Sequence, residues 1–165
     1  MSAITTAYIG LGSNLDDPVN QVHSALSELS RLPDTQSVAQ SRLYRSAPVG
    51  PADQSDYVNA VACVETALSA IALLDALQAI ELRHHRKRVQ HWGPRTLDLD
   101  ILLFGDQCIQ SDRLTVPHPE LANRRFVLQP LCDIAPELTV PGAGKLCDVL
   151  AVCPDAPLLG VVPPQ

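Results

Sequence analysis

Residues 92–104 read WGPRTLDLDILLF. From Leu97 to Leu103 the odd positions Leu97, Leu99, Ile101 and Leu103 are apolar, and Asp98 and Asp100 fall between them. Successive side chains of a strand point to opposite faces, so residues two apart share one face. The spacing therefore predicts a strand that buries leucine and isoleucine on one side and presents both aspartates on the other. Two neighbouring carboxylates repel unless a cation lies between them. Hard oxygen ligands on one face suit magnesium, which is held by one or two carboxylates together with water and substrate phosphates. An edge strand with a solvated acidic face shows the same alternation, so Asp-x-Asp alone leaves both readings open.

The preceding residues favour the metal reading. Between Leu82 and Leu97 no acidic residue occurs, while Arg83, Arg86, Lys87, Arg88 and Arg95 are accompanied by His84, His85 and His91. These cations stand in a chain of formal net charge -6. Arginine forks match phosphate oxygens, and Lys acts as a point charge. Beside a candidate metal pair, the cluster points to a polyanion complexed with a divalent cation. The alternative is a solvated helix end, where cations are favoured.

A length of 165 residues fits one domain, 1–165, with a sizeable core. Apolar content of 46% and charged content of 18% are those of an ordinary soluble globular chain. The acidic balance argues against a general nucleic-acid binder. No apolar run approaches the roughly 20 residues of a membrane span. The opening MSAITTAYIGLGSN lacks a charged n-region and a long apolar run, so no signal peptide is expected. Cys63, Cys108, Cys132, Cys147 and Cys153 are scattered without a C-x-x-C, which points to reduced thiols and a cytoplasmic location. With no obvious apolar seam, a monomer is the default.

Taken in order, Thr5 to Leu11 reads as a strand, and Asp17-Pro18 is a helix-start signal followed by Val22, Ala25, Leu26 and Leu29 at helical spacing. Gly10-x-Gly12 lacks the third glycine of a dinucleotide fingerprint and the Gly-Lys-Ser/Thr of a P-loop, so a tight strand-to-helix turn is the better reading. Ser37 to Arg45 reads as a second strand, and Ser46 to Gln54 as a loop rich in turn formers. Tyr57 to Glu65 alternates clearly, with Val58, Ala60, Ala62 and Val64 on one face and Tyr57 and Asn59 together on the other. Leu68 to about Arg86 reads as a helix with the stripe Ile71, Leu74, Leu77 and Ile80, and with Gln78 and Glu81 on a polar side. The order strand, helix, strand, strand, helix, strand predicts an α+β fold, the ferredoxin-like βαββαβ plait, with an antiparallel sheet and both helices on one face. The other face would carry Asp98, Asp100, Tyr57 and Asn59. Beyond the plait, Gly105-Asp106 reads as a hairpin turn before a strand at Gln107 to Ile109. Arg113 to Pro119 reads as irregular, Asn123 to Leu131 leads into a helical turn, and Lys145 to Val152 forms a short helix. From Pro154 the tail reads as irregular and proline-rich.

With these residues placed, the sequence resembles the 6-hydroxymethyl-7,8-dihydropterin pyrophosphokinase family. The resemblance rests on YIGLGSNL, YRSAPVGPADQSDYVNAV, WGPRTLDLDILLFG and LTVPHPELANRRFVLQPL, in that order, and covers nearly the whole chain. It implies transfer of the pyrophosphoryl group of ATP to the pterin's hydroxymethyl oxygen, with release of AMP. It further implies that Asp98 and Asp100 hold two magnesium ions, and that Arg86, Arg95 and His118 complete the catalytic set. One of the two aspartates, Asp100 ahead of Asp98, would also favour deprotonation of the hydroxyl, directly or through the metal. Gln78, Glu81, Arg86, Arg88, Trp92, Arg95, Ile101, Arg113, Thr115, His118 and Arg124 match positions around ATP. Ser46, Ala47, Val49, Tyr57, Asn59, Trp92, Asp98 and Phe126 match the pterin site, where two aromatic rings sandwich the heterocycle. Segments at Ser13 to Asp17, Ala47 to Ser55 and His84 to Gly93 match the family's mobile loops, and the last two are expected to close over the substrates and exclude water. One departure is that the run from Arg88 to Trp92 is a residue short of the common spacing, with His91 where arginine is frequent. The expected partners are the two small molecules, with neither nucleic acid nor membrane. A non-catalytic ferredoxin-like nucleotide- or RNA-binding module and a metal-dependent phosphohydrolase are the competing readings.

Overall fold

The computed structural model describes residues 3–14, 17–47, 56–85 and 97–163. In chain order its elements are β1 (Thr5–Ser13), α1 (Pro18–Leu29), β2 (Thr35–Gln40), β3 (Tyr44–Ser46), β4 (Tyr57–Thr66), α2 (Ala70–His85), β5 (Asp98–Phe104), β6 (Ile109–Gln110) and β7 (Thr115–Val116). A single 3₁₀ turn at Leu121–Asn123 is followed by α3 (Arg125–Ile134), β8 (Thr139–Val140), β9 (Gly144–Lys145), α4 (Leu146–Ala151) and β10 (Gly160–Val161). The main sheet runs β10-β3-β4-β1-β5, with β2 also paired to β4. Every pairing is antiparallel, so β1 is flanked by β4 and β5 as the ferredoxin-like plait requires. No helix among the described residues is long and apolar enough to cross a membrane.

Strand alternation divides the interior into two cores. Ala7, Ile9 and Leu11 of β1, Val58, Ala60, Ala62 and Val64 of β4, and Leu97, Leu99 and Ile101 beside or in β5 pack with α1 and α2. On the opposite face Val61, Leu102 and Leu103 pack with Val127, Leu128 and Leu131 of α3 and Leu146 and Val149 of α4. The second face is thus helix-free only in part, because the C-terminal helices cover its far end. Leu103 also departs from the simple alternation. The β1–β5 register pairs Tyr8 with Leu103 and Ile9 with Ile101, so Leu102 is an extra residue in β5. A bulge of this kind shifts the following residue to the other face, and Leu103 joins the second core.

Several elements differ from the sequence-based expectation for local reasons. The second strand is split into β2 and β3, both on the same edge of β4. Between them Ser41 donates its N–H to the Val61 carbonyl at 2.8 Å and accepts the Val61 N–H on its hydroxyl at 2.9 Å, so a side chain stands in for a ladder acceptor. Asp17 precedes α1 in the left-handed region (φ 63°) and makes no side-chain cap bond to the helix. In α2 the buried stripe is Leu73, Leu74, Leu77, Ile80 and His84, while Ile71 is 39% exposed. Steps of three residues drift around a helix by about 60° each, which carries Ile71 off the buried face. Ser69 caps α2, accepting the Ala72 N–H on its hydroxyl at 3.1 Å. The strand after Gly105 pairs with β7 and not with β5, so Gly105-Asp106 is a turn without a hairpin, and the segment expected to be irregular contains β7. The tail is likewise pinned, since β10 pairs with β3.

His84, read as part of the basic cluster, is instead 2% exposed between the two plait helices. Its Nε2 meets Glu28 Oε2 at 2.6 Å and its Nδ1 meets Gln21 Oε1, while Arg83 Nε donates to Glu28 Oε1 at 3.1 Å. Burial pulls the Glu28 carboxyl up, but the hydrogen bonds from His84 and Arg83 and their charges outweigh it, leaving Glu28 below its ordinary value of 4.5. A depressed carboxyl contributes stability that is complete above its unfolded pKa and is lost as pH falls through the folded one. Glu28→Gln is therefore expected to destabilise the protein at pH 7 by roughly 1 kcal/mol, because the exposed Arg83 is screened by solvent. The gap to wild type should close below pH 4.5. Urea melts at pH 7 and pH 3.5 check this, and a gap independent of pH would refute it.

Candidate active site

Asp98 and Asp100 project from β5 onto the sheet face opposite α1 and α2, where they line a cavity of about 490 Å³. Their cross-strand neighbours in β1 are Gly12 and Gly10 respectively. These glycines lie inside a strand, not in a turn or phosphate loop, and they form the cavity floor. A Cβ on Gly12 would stand 3.1 Å from Asn59 Nδ2, and one on Gly10 would stand 3.2 Å from Leu102 Cδ2. The missing side chains thus make room for Asn59 and for whatever lies above the carboxylates.

Tyr57 and Asn59 of β4 share this face, as their spacing predicts. Asn59 is 4% exposed and accepts the Ser46 hydroxyl on Oδ1 at 2.6 Å, which leaves its Nδ2 hydrogens to donate. Burial and then the Asp98 charge push the Tyr57 phenol above its ordinary pKa, so its ring is neutral across the physiological range. Across the cavity stands Phe126 in the first turn of α3, with the Arg124 guanidinium 5.7 Å from its ring centroid. Such a cation–π contact is worth about 0.5–1 kcal/mol at an exposed site.

His118 is delivered by the chain that follows β7. Its N–H donates to the Leu102 carbonyl at 3.0 Å, which ties it to the aspartate strand. Its Nδ1 accepts the Glu120 N–H at 3.1 Å, so the neutral ring carries its proton on Nε2. Burial lowers the His118 pKa, Asp100 and Glu120 oppose that, and Arg124 adds to it. The net shift below 6.5 keeps the imidazole a neutral donor at pH 7.

The cavity thus gathers two carboxylates, two aromatic rings and the His118 and Arg124 side chains. Residues 8–136 match the family described as 7,8-dihydro-6-hydroxymethylpterin-pyrophosphokinase (HPPK). The chain belongs to this family. It is an enzyme, a pyrophosphokinase. A 2-amino-4-hydroxy-6-hydroxymethyldihydropteridine pyrophosphokinase of Pseudomonas aeruginosa is 54% identical over 92% of this chain and 93% of its own length. One of the same name from Haemophilus influenzae is 49% identical over 96% and 99%. Among solved structures, a triple mutant of Plasmodium falciparum HPPK-DHPS with STZ-DHP aligns at a TM-score of 0.73 and 14% identity. It covers 92% of this chain, which spans only 43% of that longer one, and the likeness is one of fold.

The site residues expected of the pyrophosphokinase fall into three groups. Ser46, Ala47, Tyr57, Asn59, Asp98, Asp100, His118, Arg124 and Phe126 are brought together around the cavity. Gln78, Glu81, Arg113 and Thr115 lie apart from it. Arg113 Nη2 donates to Asp75 Oδ1 at 2.6 Å and to Gln78 Oε1 at 3.1 Å, while Glu81 Oε2 accepts the Leu99 N–H at 2.8 Å and so fixes α2 to β5. Ile101 is 2% exposed in the helix-side core, so its side chain is not in the cavity. Val49, Arg86, Arg88, Trp92 and Arg95 lie outside the described residues, as do most of the two loops expected to close.

Sequence reasoning missed Gly10, Gly12, Leu102, Glu120, Asn123 and Asp155 as cavity residues. For the glycines a signal existed, because positions two apart in one strand share a face. For Asp155 there was none, since a tail has no period. The donor set fits magnesium: two carboxylates share one face of the cavity, and no group of three or more His, Cys, Asp or Glu converges among the described residues. Magnesium takes one or two carboxylates and completes its shell with water and phosphate oxygens.

The crowding at Gly12 is testable without substrate. Gly12→Ala is expected to overpack against Asn59 and cost about 1–3 kcal/mol. The cost should appear as a lower urea midpoint at unchanged slope, and an unchanged midpoint would show that Asn59 can move aside freely.

Proposed function

We propose that the enzyme transfers the pyrophosphoryl group of ATP to the hydroxymethyl oxygen of 6-hydroxymethyl-7,8-dihydropterin, releasing AMP, in folate biosynthesis. The observation that carries this reading is the pair Asp98 and Asp100 at the base of a cavity whose walls hold Tyr57 and Phe126. The carboxylates would hold two magnesium ions. Bound there, the metals supply charge neutralisation for the triphosphate and polarise its oxygens.

The chain's own residues do the positioning. Tyr57 and Phe126 sandwich the flat pterin, worth about 0.5–1.5 kcal/mol beyond area burial. That is too little to select one heterocycle, so selection rests on hydrogen bonds from the Asn59 amide and the backbone around Ser46, Ala47 and Val49. His118 donates its Nε2 proton to a phosphate oxygen, and Arg124 brings a guanidinium fork to the same charge. Arg113, with Gln78 and Thr115, receives the nucleotide on the β5 side of the sheet. Arg86, Arg88, Trp92 and Arg95 complete the ATP site, with Arg86 and Arg95 acting on the transferring group. Asp100 favours loss of the hydroxyl proton. Holding both reactants in line is worth much of the acceleration in such transfers, because little covalent chemistry is left to the protein.

The accompanying proposal is a cytoplasmic monomer acting on these two small molecules, with neither nucleic acid nor membrane as partner. The free thiols and the net charge of -6 support it.

The test is AMP formation with ATP, magnesium and 6-hydroxymethyl-7,8-dihydropterin, omitting each in turn. AMP should appear only in the complete mixture. ADP or phosphate released without pterin would favour a phosphohydrolase, and salt-sensitive RNA binding without AMP would favour a binding module. Asp98→Ala and Asp100→Ala should each lower kcat by roughly 10²–10³-fold, the scale of lost metal-borne charge stabilisation, with the fold retained by circular dichroism. Full turnover in either variant would remove the assigned role.

A further inference from the structure

Helix α3 begins without a capping side chain of its own. Its N-cap, Arg124, is extended (φ −122°, ψ 106°) and makes no side-chain cap bond, and no acidic residue occupies the first turn. A helix start leaves four backbone N–H groups without intrahelical partners, and its positive end favours a carboxylate. Asp155 supplies an acceptor from far downstream, for its Oδ2 accepts the Arg125 N–H at 3.1 Å. The Arg125 guanidinium returns the contact, donating to the Cys153 carbonyl at 3.2 Å and to the Asp155 carbonyl from Nη2 at 3.3 Å and Nε at 3.4 Å. Asp155 Oδ1 accepts the Ala156 N–H at 2.9 Å, which orients the carboxylate within its own turn.

The same segment then reaches β3. Leu159 donates its N–H to the Arg45 carbonyl at 2.9 Å, and Val162 donates to the Leu43 carbonyl at 2.8 Å. A short C-terminal strap therefore joins the start of α3 to β3. These are two walls of the cavity, with Arg124 and Phe126 on one and Ser46 and Ala47 on the other, and Asp155 lines the space between. Because Arg124 lies over the Phe126 ring, a shift of the first turn moves both side chains.

We propose that Asp155 is a positioning residue, which caps α3 from the C-terminal strap and so fixes Phe126 and Arg124 in the substrate cavity. The proposal rests on the pyrophosphokinase reading above for what the cavity binds. It is tested on the full chain with Asp155→Ala and Asp155→Asn, the latter keeping an amide oxygen to accept the Arg125 N–H. The readouts are kcat and KM for pterin and ATP from AMP release, and amide hydrogen exchange of residues 125–128 without substrate.

Asp155→Ala should raise the pterin KM about five- to tenfold, the size of a lost helix cap, while kcat stays within about twofold and exchange at residues 125–128 accelerates about fivefold. Asp155→Asn should stay within about twofold of wild type in every readout. A lowered Tm in Asp155→Ala with KM and exchange unchanged would mark a merely structural tail and overturn the proposal. So would Asp155→Asn behaving like Asp155→Ala, which would assign Asp155 a direct charge contact. Wild type that releases no AMP would defeat the functional reading, while the exchange comparison, needing no substrate, would still decide whether Asp155 holds the first turn.

Discussion

Across the β1–β5 ladder, Gly12 faces Asp98 and Gly10 faces Asp100, and the active site depends on this register. Two carboxylates on one strand face repel one another. A cation above the pair would turn that repulsion into attraction. The glycines leave open the space above the carboxylates, since a side chain at Gly12 crowds Asn59. A slip of one residue would turn the aspartates into the helix-side core, where their desolvation would be prohibitive. The helix-side core of β1, β4 and β5 therefore holds the chemistry in register from below.

The opposite face is shared between stability and function. Helices α3 and α4 bury Val61, Leu102 and Leu103 at one end and leave the other end open over the aspartates. The bulge at Leu102 makes this division, because it brings two consecutive leucines to the second core directly beyond Asp100. The Leu102 carbonyl then holds the His118 N–H. A backbone irregularity thus packs the C-terminal helices and sets the His118 imidazole beside the carboxylates. On the far side, Tyr44 joins β3 to the end of α3, its hydroxyl donating to Asp133 at 2.6 Å and accepting from Arg42 at 2.9 Å. Burial foremost, with Asp133, pushes that phenol up to about 12, so the bridge keeps its donor across the working pH range.

Much of this was legible in the chain. The alternation at residues 97–101 and 57–64 assigned the two strands and the faces of Asp98, Asp100, Tyr57 and Asn59, because the period of a strand is set by the backbone alone. The order of periodic segments yielded the plait, and the four motifs yielded the family. Other assignments failed where backbone geometry or a long-range contact overrules the simple pattern. Leu103 was misassigned by a bulge, Ile71 by helical drift, and the basic His84 was drawn into a buried contact with Glu28. Ile101 carries an apolar side chain that packs under the sheet, so its side chain does not line the cavity.

The sequence by itself determined which residue types share a face within each strand, because that property repeats every two residues and needs no partner. Tertiary structure decided which faces meet. Only the strand order places the Gly10 and Gly12 floor beside Asp98 and Asp100, and only the return of the chain through β10 sets Asp155 against the start of α3. Those proximities join residues tens of positions apart, and they arise from burying two apolar faces at once, a requirement that no local period encodes.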